Sequence, residues 1–313
     1  MKKAYLFIFC LLVFFTACEQ SPIFYDISQE IKLENQTIKG TVYSMRKIDS
    51  TLYAANGMLN QKSMEANKWS KISVPNKEIV TVAYGKNENE KYLYILGNPK
   101  DKEITKDEKT EVVTVFTVYS HLLNENGSLD SSDWKTVTDE VSFLFDNQAE
   151  NSKAYITKNG QVYKLEGNTV SETAITTNVE GVVKAAINLN GTDYFSTSVA
   201  YATNGTVAFL AEDKKVNDKE TTSKITSLFI FEDKLYAGTL TGVQVAQILE
   251  NGSIGDFVKL GNNAESAFGT REVIGVWKFD NKDNFFVSVT STQSSIYDAL
   301  WGFDASINKW NLE

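Results

Sequence analysis

The chain is predicted to be all-β and to fold as a β-propeller of six blades. Four observations carry this. Helical patterning is scarce: beyond the N-terminal apolar run, no stretch of a dozen residues repeats apolar positions at i, i+3, i+4 and i+7. Strand patterning is dense, with short runs rich in Val, Ile, Thr, Phe and Tyr broken by turn residues. Asn-Gly, the strongest short hairpin signal, occurs six times, beginning at Asn56, Asn126, Asn159, Asn190, Asn204 and Asn251. Finally, one hairpin unit repeats along the chain.

The repeat is clearest between YSMRKIDSTLYAANG (43–57) and TSLFIFEDKLYAGTL (226–240): an apolar strand, a short turn with an acidic residue, then Leu-Tyr-Ala. It recurs as VAYGKNENEKYLYILG (82–97), FLFDNQAENSKAYITKNG (143–160), AAINLNGTDYFSTS (185–198) and VWKFDNKDNFFVSV (276–289). The equivalent aromatics are Tyr53, Tyr94, Tyr155, Tyr194, Tyr236 and Phe286. Further short strands close the units: NKWSKIS (67–73), SDWKTVT (132–138), GDFVKLG (255–261) and NKWNLE (308–313). About four strands every 40–50 residues is the pattern of a propeller. A lone twisted four-stranded sheet cannot hide both faces, whereas radial stacking buries each face against its neighbours. Proline occurs only at Pro22, Pro75 and Pro99, so few strands are barred from pairing. The blades are expected at about 40–75, 77–140, 141–178, 182–224, 225–263 and 271–313. Seven blades result if residues 22–39 complete a blade with the C-terminus. A β-sandwich, the main rival, accommodates six similar aromatic-bearing hairpins poorly.

The N-terminus reads as targeting. Met1-Lys2-Lys3 precedes an apolar run from Ala4 to Phe15, shorter than the roughly 20 residues of a membrane span. Phe15-Thr16-Ala17-Cys18 resembles the lipobox of bacterial lipoproteins, with Phe15 where leucine is usual. The resemblance implies that residues 1–17 are a signal peptide, that Cys18 is acylated (palmitate-type chains), and that 18–39 form a lipidated tether to a domain at 40–313. It implies a lipid-anchored protein of the bacterial cell envelope, facing the periplasm or displayed at the surface. Each buried CH₂ adds roughly 0.8 kcal/mol of membrane affinity, so two or three chains hold a soluble domain durably. The alternative is a plain signal peptide that leaves Cys18 free or removes it. Cys10, the other cysteine, lies inside the signal, so the exported part has no disulfide and folds by burial alone. The wider resemblance, to β-propeller lipoproteins of bacterial envelopes, is architectural and names no activity.

With 40 acidic and 31 basic residues the net charge is −9, and no dense basic stripe exists. Nucleic acid and anionic headgroups would be repelled. His121 is the single histidine; it shares a strand face with Val115, Thr117 and Tyr119 in VVTVFTVYSHLL (112–123), which points to packing rather than general-base work. Zinc built from His and Cys lacks ligands. NENGSLD (124–130) has only partial calcium-loop spacing and reads as a polar turn. With Arg46 and Arg271 the only arginines, bidentate recognition of phosphate or carboxylate is disfavoured. Trp69, Trp134 and Trp310 fall in equivalent blade-closing strands and are expected between blades, and Trp277 on an innermost strand. No metal or cofactor site is expected.

In a propeller, the connection between the second and third strands shares a face with the blade-to-blade connections. Three such connections look enlarged: Asn98 to Glu111, Thr197 to Gly205 and Thr290 to Tyr297, on blades 2, 4 and 6. Tyr201 and Tyr297 are their aromatics and candidate anchors for a partner. The expectation is a monomeric, non-enzymatic binding or scaffold module for a protein or glycan. The alternative is an envelope glycan-acting enzyme with paired carboxylates.

Overall fold

The computed structural model describes residues 37–313 except 67, 76–77, 107–108, 130–132, 178–180, 190, 198–200, 204–205, 210, 213–214, 217, 251–252, 262–263, 269–270, 281–283 and 291–297. Among the described residues, six antiparallel units follow one another, each built from strands adjacent in sequence. Unit 1 is β1 (Ser44–Ile48), β2 (Thr51–Ala55), β3 (Leu59–Ser63) and β4 (Ser70–Ile72).

The second and third units share a strand. Their sheet runs β5 (Thr81–Asn87), β6 (Glu90–Lys106), β7 (Lys109–Leu123), β8 (Lys135–Asp146), β9 (Ala154–Lys158), β10 (Gln161–Glu166) and β11 (Thr169–Val170). The first part of β8 closes blade 2, pairing with β7 from Ser120↔Lys135 to Phe116↔Val141. Its second part opens blade 3, pairing with β9 from Val141↔Lys158 to Asp146↔Ala154. Glu140, at φ 59°, turns the strand between the two roles; a non-glycine residue in this region marks an over-determined corner. The expected boundary between 140 and 141 is thus a bend within one strand. The next hairpin, β9 to β10, closes on Asn159-Gly160 with φ 52° and 76°, as a tight primed turn requires.

Blade 4 is β12 (Ala185–Leu189), β13 (Thr192–Ser196), β14 (Tyr201–Thr203) and β15 (Thr206–Phe209). A small sheet of β16 (Ala211–Glu212), β17 (Lys215–Val216) and β18 (Lys219–Glu220) follows it. Blade 5 is β19 (Ile225–Phe231), β20 (Lys234–Thr239), β21 (Gly242–Gln247) and β22 (Val258–Lys259). A five-residue helix, α1 (Ala264–Phe268), leads to blade 6: β23 (Glu272–Lys278), β24 (Phe285–Thr290), β25 (Ala299–Asp304) and β26 (Lys309–Leu312).

Every neighbouring pair of blades shares a buried apolar cluster, as radial stacking demands. Blades 1 and 2 share Tyr53 and Leu59 with Tyr84 and Leu93. Blades 2 and 3 share Tyr94 and Val118 with Leu144 and Ile156, and blades 3 and 4 share Tyr155 and Val162 with Ala186 and Phe195. Ile187 and Val216 meet Leu228 and Leu235 between blades 4 and 5. One larger cluster joins Phe229 and Tyr236 of blade 5, Phe285 and Trp310 of blade 6, and Met45, Leu52 and Trp69 of blade 1. The ring is therefore closed. Blade 6 is built from its own four strands, and the described part of the expected seventh blade, residues 37–39, forms no strand. Thr37 and Ile38 instead donate their N–H groups to the Glu313 carbonyl at 3.0 and 3.4 Å. The Glu313 carboxylate accepts from Trp69 Nε1 at 2.9 Å and pairs with Lys62.

The repeated tyrosines do more than fill space. Tyr53 of blade 1 donates its hydroxyl to the Gly127 carbonyl of blade 2 at 2.9 Å. Tyr94 of blade 2 does the same to Gly167 of blade 3 at 3.0 Å, and Tyr155 of blade 3 donates to the Asp193 carboxylate of blade 4 at 2.7 Å. Each ring sits in an interblade cluster while its hydroxyl ties the next blade, which is how a buried tyrosine satisfies its polar end.

Candidate functional site: the central channel and its arm-bearing mouth

The innermost strands β1, β5, β8, β12, β19 and β23 surround a channel of about 320 Å³. Its lining is mixed: Ala185, Ala186 and Val276 alternate with Thr81, Thr226 and Ser227, and Trp277 lies along one wall. Trp277 folds back over Gly275; a Cβ at Gly275 would stand 2.2 Å from the indole ring, so only glycine fits there.

Asp146 is the one carboxylate among the described residues of the lining, and it is engaged from several sides. Arg46 of blade 1 reaches past blade 2 to place Nε 3.2 Å from Asp146 Oδ2, with both side chains nearly buried. Arg46 Nη2 donates to the Ala149 carbonyl at 2.8 Å. Asp146 also accepts the N–H groups of Tyr84 and Gln148, each at 2.8 Å. This network joins three blades across the channel, and paired, hydrogen-bonded charges are what such burial requires. The arrangement differs from the facing carboxylates of glycosidic cleavage, because the second group here is a guanidinium.

The mouth at the start of the innermost strands carries the connections expected to be enlarged. Asn98 to Glu111 is not a loop. β6 and β7 extend past blade 2 as a paired arm, in register from Lys100↔Val115 to Lys106↔Lys109, after a bulge between Gly97 and Lys100 where Asn98 takes φ 56°. The physical reason is the β-branched run of KTEVVTV, joined by Ile104 and Thr105 of KDKEITK, which favours pairing over irregular backbone. The arm is held at its base by Lys102, 2.6 Å from Glu140 at the β8 corner. The Lys102 hydrogen bond and charge hold the Glu140 carboxyl below its ordinary pKa. Thr117 Oγ1 donates to Asp139 at 2.6 Å beside it.

On blade 4, part of the expected loop is strand: Tyr201 begins β14 and stands opposite Phe209 in register. On blade 6, Thr290 Oγ1 donates to Asp298 at 2.7 Å at the base of the third connection. Tyr297 lies outside the described residues, as does Cys18. A cleft of about 590 Å³ lies between the arm and blade 4, lined by Val113, Phe116, Phe143, Val182, Lys184 and Thr197 among others. Phe143 and Lys184 belong to both cleft and channel. The Lys184 ammonium sits 5.3 Å from the Phe143 ring centre, within cation–π range.

The remaining sequence candidates are structural. His121 is buried, edge-on to Trp134 at 5.1 Å, with Nδ1 2.5 Å from the Leu122 carbonyl. Trp69 and Trp310 lie in the blade 6–blade 1 core and Trp134 against the blade 1–blade 2 core. Within NENGSLD, residues 124–128 form a turn in which Asn124 Oδ1 accepts the Ser128 N–H at 2.9 Å and the Gly127 carbonyl accepts from Tyr53. Among the described residues, no group of three or more His, Cys, Asp or Glu converges as metal ligands, and no helix is long and apolar enough to cross a membrane. The sequence reading missed the Arg46–Asp146 pair, the reach of the tyrosine hydroxyls and the arm. Only the arm left a signal, in the β-branched run of its KTEVVTV half.

Comparison with known proteins bears on the N-terminal part of the chain and on its fold. Residues 6–80 match the model of the TP013X lipoprotein family. An uncharacterized lipoprotein of Treponema pallidum (strain Nichols) is 37% identical over 57 residues, which is 18% of this chain and 15% of that protein's length. In fold, the chain is similar to one in a crystal structure of a nidogen/laminin complex, with a TM-score of 0.50 at 11% identity, covering 83% of this chain and 90% of that one. YCF48 from Cyanidioschyzon merolae gives a TM-score of 0.46 at 10% identity, covering 88% and 85%. The N-terminal match and the closed ring of blades together support a lipoprotein with a β-propeller fold.

Proposed function

We propose that the protein is a non-enzymatic binding or scaffold module, held at a bacterial membrane by acyl chains on Cys18 and offering the arm-bearing mouth of its propeller to a partner. The observation that carries the reading is the asymmetry of the two ends. One end gathers the arm, the cleft and the channel mouth, where Tyr43 is 56% exposed. At the other end, Gly127, Gly167 and Asp193 are engaged by tyrosine hydroxyls from neighbouring blades. Binding residues concentrate on connections held by a rigid scaffold, and the lipid anchor leaves the domain free to present such a face. The lipobox resemblance and the lipoprotein match at residues 6–80 support the anchor. The engagement of Asp146 by Arg46 favours binding over carboxylate catalysis in the channel.

The test is a photo-crosslinking amino acid placed in the native envelope at position 43, and separately at Leu249, which is 46% exposed at the opposite end. A discrete adduct from position 43 and none from position 249 is expected. Adducts from 249 alone, or from neither site, would overturn the reading.

A further inference from the structure

β7 loses its outer partner halfway along. β8 pairs with it as far as Phe116↔Val141 and then departs into blade 3. Among the described residues, β7 pairs from Thr110 to Val115 with β6 alone. An edge of this kind is a template for another strand. The two edges of the arm also differ in character. On the β6 edge, four of the six positions facing that stretch are charged, Lys100-Asp101-Lys102-Glu103, which is how edges are protected. Thr110-Glu111-Val112-Val113-Thr114-Val115 is β-branched at all but one position, and Val112 is 64% exposed.

The cleft lies along this second edge. Its lining takes Val113 from one face of β7 and Thr114 and Phe116 from the other, which requires that it meet the strand edge-on. Ser142 and Phe143 form its floor, and Gly181, Val182 and Lys184 stand opposite. Bounded on both sides, it suits one extended strand rather than a second two-stranded arm. Its volume is that of a formed binding site. The walls are mainly apolar, and Lys184 is the one charged residue among the described residues of the lining, within a chain of net charge −9.

We propose that this cleft binds an extended segment of another polypeptide by β-augmentation. The segment would pair with the free edge of β7 along the line that β8 abandons, alternate apolar side chains against Val113, Phe116, Phe143 and Val182, and set a carboxylate against Lys184. Main-chain pairing supplies affinity in this mode and side-chain pockets supply selection. The inference rests on the binding-module reading and names the site and the chemistry of the partner.

Fluorescence anisotropy with the full-length protein in detergent tests it. The probe is an acetylated, labelled heptapeptide alternating valine and threonine with a central glutamate. Its controls carry a central lysine or N-methyl groups on alternate amides. The glutamate peptide is expected to bind saturably, about tenfold more tightly than either control, since each lost backbone or charged pairing removes on the order of 1 kcal/mol. Lys184→Glu, at an exposed position, should reverse the glutamate-over-lysine preference with the circular dichroism spectrum unchanged. Equal binding of the N-methylated peptide would overturn strand pairing. An unchanged preference in the variant would overturn the site. A dimer that the peptide cannot dissociate would give the edge to a second copy of the chain and overturn the proposal too. Crosslinks from position 43 do not depend on strand geometry, so they would survive a failure here and separate it from a failure of the binding-module reading.

Discussion

Arg46 and Asp146 meet across the channel from blades 1 and 3, Nε to Oδ2 at 3.2 Å, with the guanidinium also bound to the Ala149 carbonyl. Because β5 runs between them and Tyr84 donates its N–H to the same carboxylate, one pair fixes the relative placement of three innermost strands. Removing one partner of a buried pair leaves the other charge uncompensated. Arg46→Met is expected to destabilise the domain by about 3 kcal/mol, the low end of such losses because Asp146 keeps two backbone donors. Denaturant unfolding measures this, and Arg46→Met with Asp146→Leu should recover part of it.

The tyrosine ties predict a graded series. Tyr53→Phe and Tyr94→Phe each delete one hydroxyl donated to a neighbouring blade's carbonyl and leave the ring in its cluster. Each should cost about 1 kcal/mol, measured as a shift in unfolding midpoint. Tyr236→Phe serves as the comparison for a hydroxyl whose pKa is pushed up to about 12, first by burial and then by Glu232 and Asp233.

Gly275→Ala places a methyl group into the Trp277 ring on the channel wall. Overpacking of this kind costs typically 1–3 kcal/mol. Thermal unfolding should fall accordingly, and Trp277→Leu in the same background should restore much of the loss.

Acid sensitivity should centre on Asp193. Burial opposes its ionisation, but hydrogen bonds from Tyr155, Asn188 and Asn147, with Lys153 nearby, outweigh it and leave the folded pKa lowered. The ionised form is thus better held in the folded chain than in the unfolded one. Its contribution is complete above the ordinary carboxylate range and is lost as pH falls through the folded pKa. Asp193→Asn should flatten the decline in unfolding midpoint below about pH 5 while leaving the Tyr155 ring packed on Phe195.

These residues show what a sequence exposes and what it hides. Alternation and turn chemistry are local, so the six blades, the Asn159-Gly160 turn and the closing strands around Trp69, Trp134 and Trp310 are legible from spacing alone. Glu140 is not, because nothing about a glutamate announces a left-handed corner; the corner arises from β8 serving two blades. The Arg46–Asp146 pair and the Tyr155–Asp193 bond join distant parts of the chain, and only the closure of the ring decides those neighbours. The arm was hidden by its charge: KDKEITK reads as a solvated loop until KTEVVTV is set against it. Of the expected partner-binding aromatics, Tyr201 begins a strand rather than a loop.

The most direct test of the account is the state of residue 18 in protein taken from native membranes. Intact mass spectrometry should find the chain beginning at Cys18 with acyl chains attached, and Cys18→Ala should move the folded propeller into the soluble fraction. A mature chain that lacks acylation at Cys18, or a Cys18→Ala protein that remains membrane-bound after a high-salt wash, would contradict it.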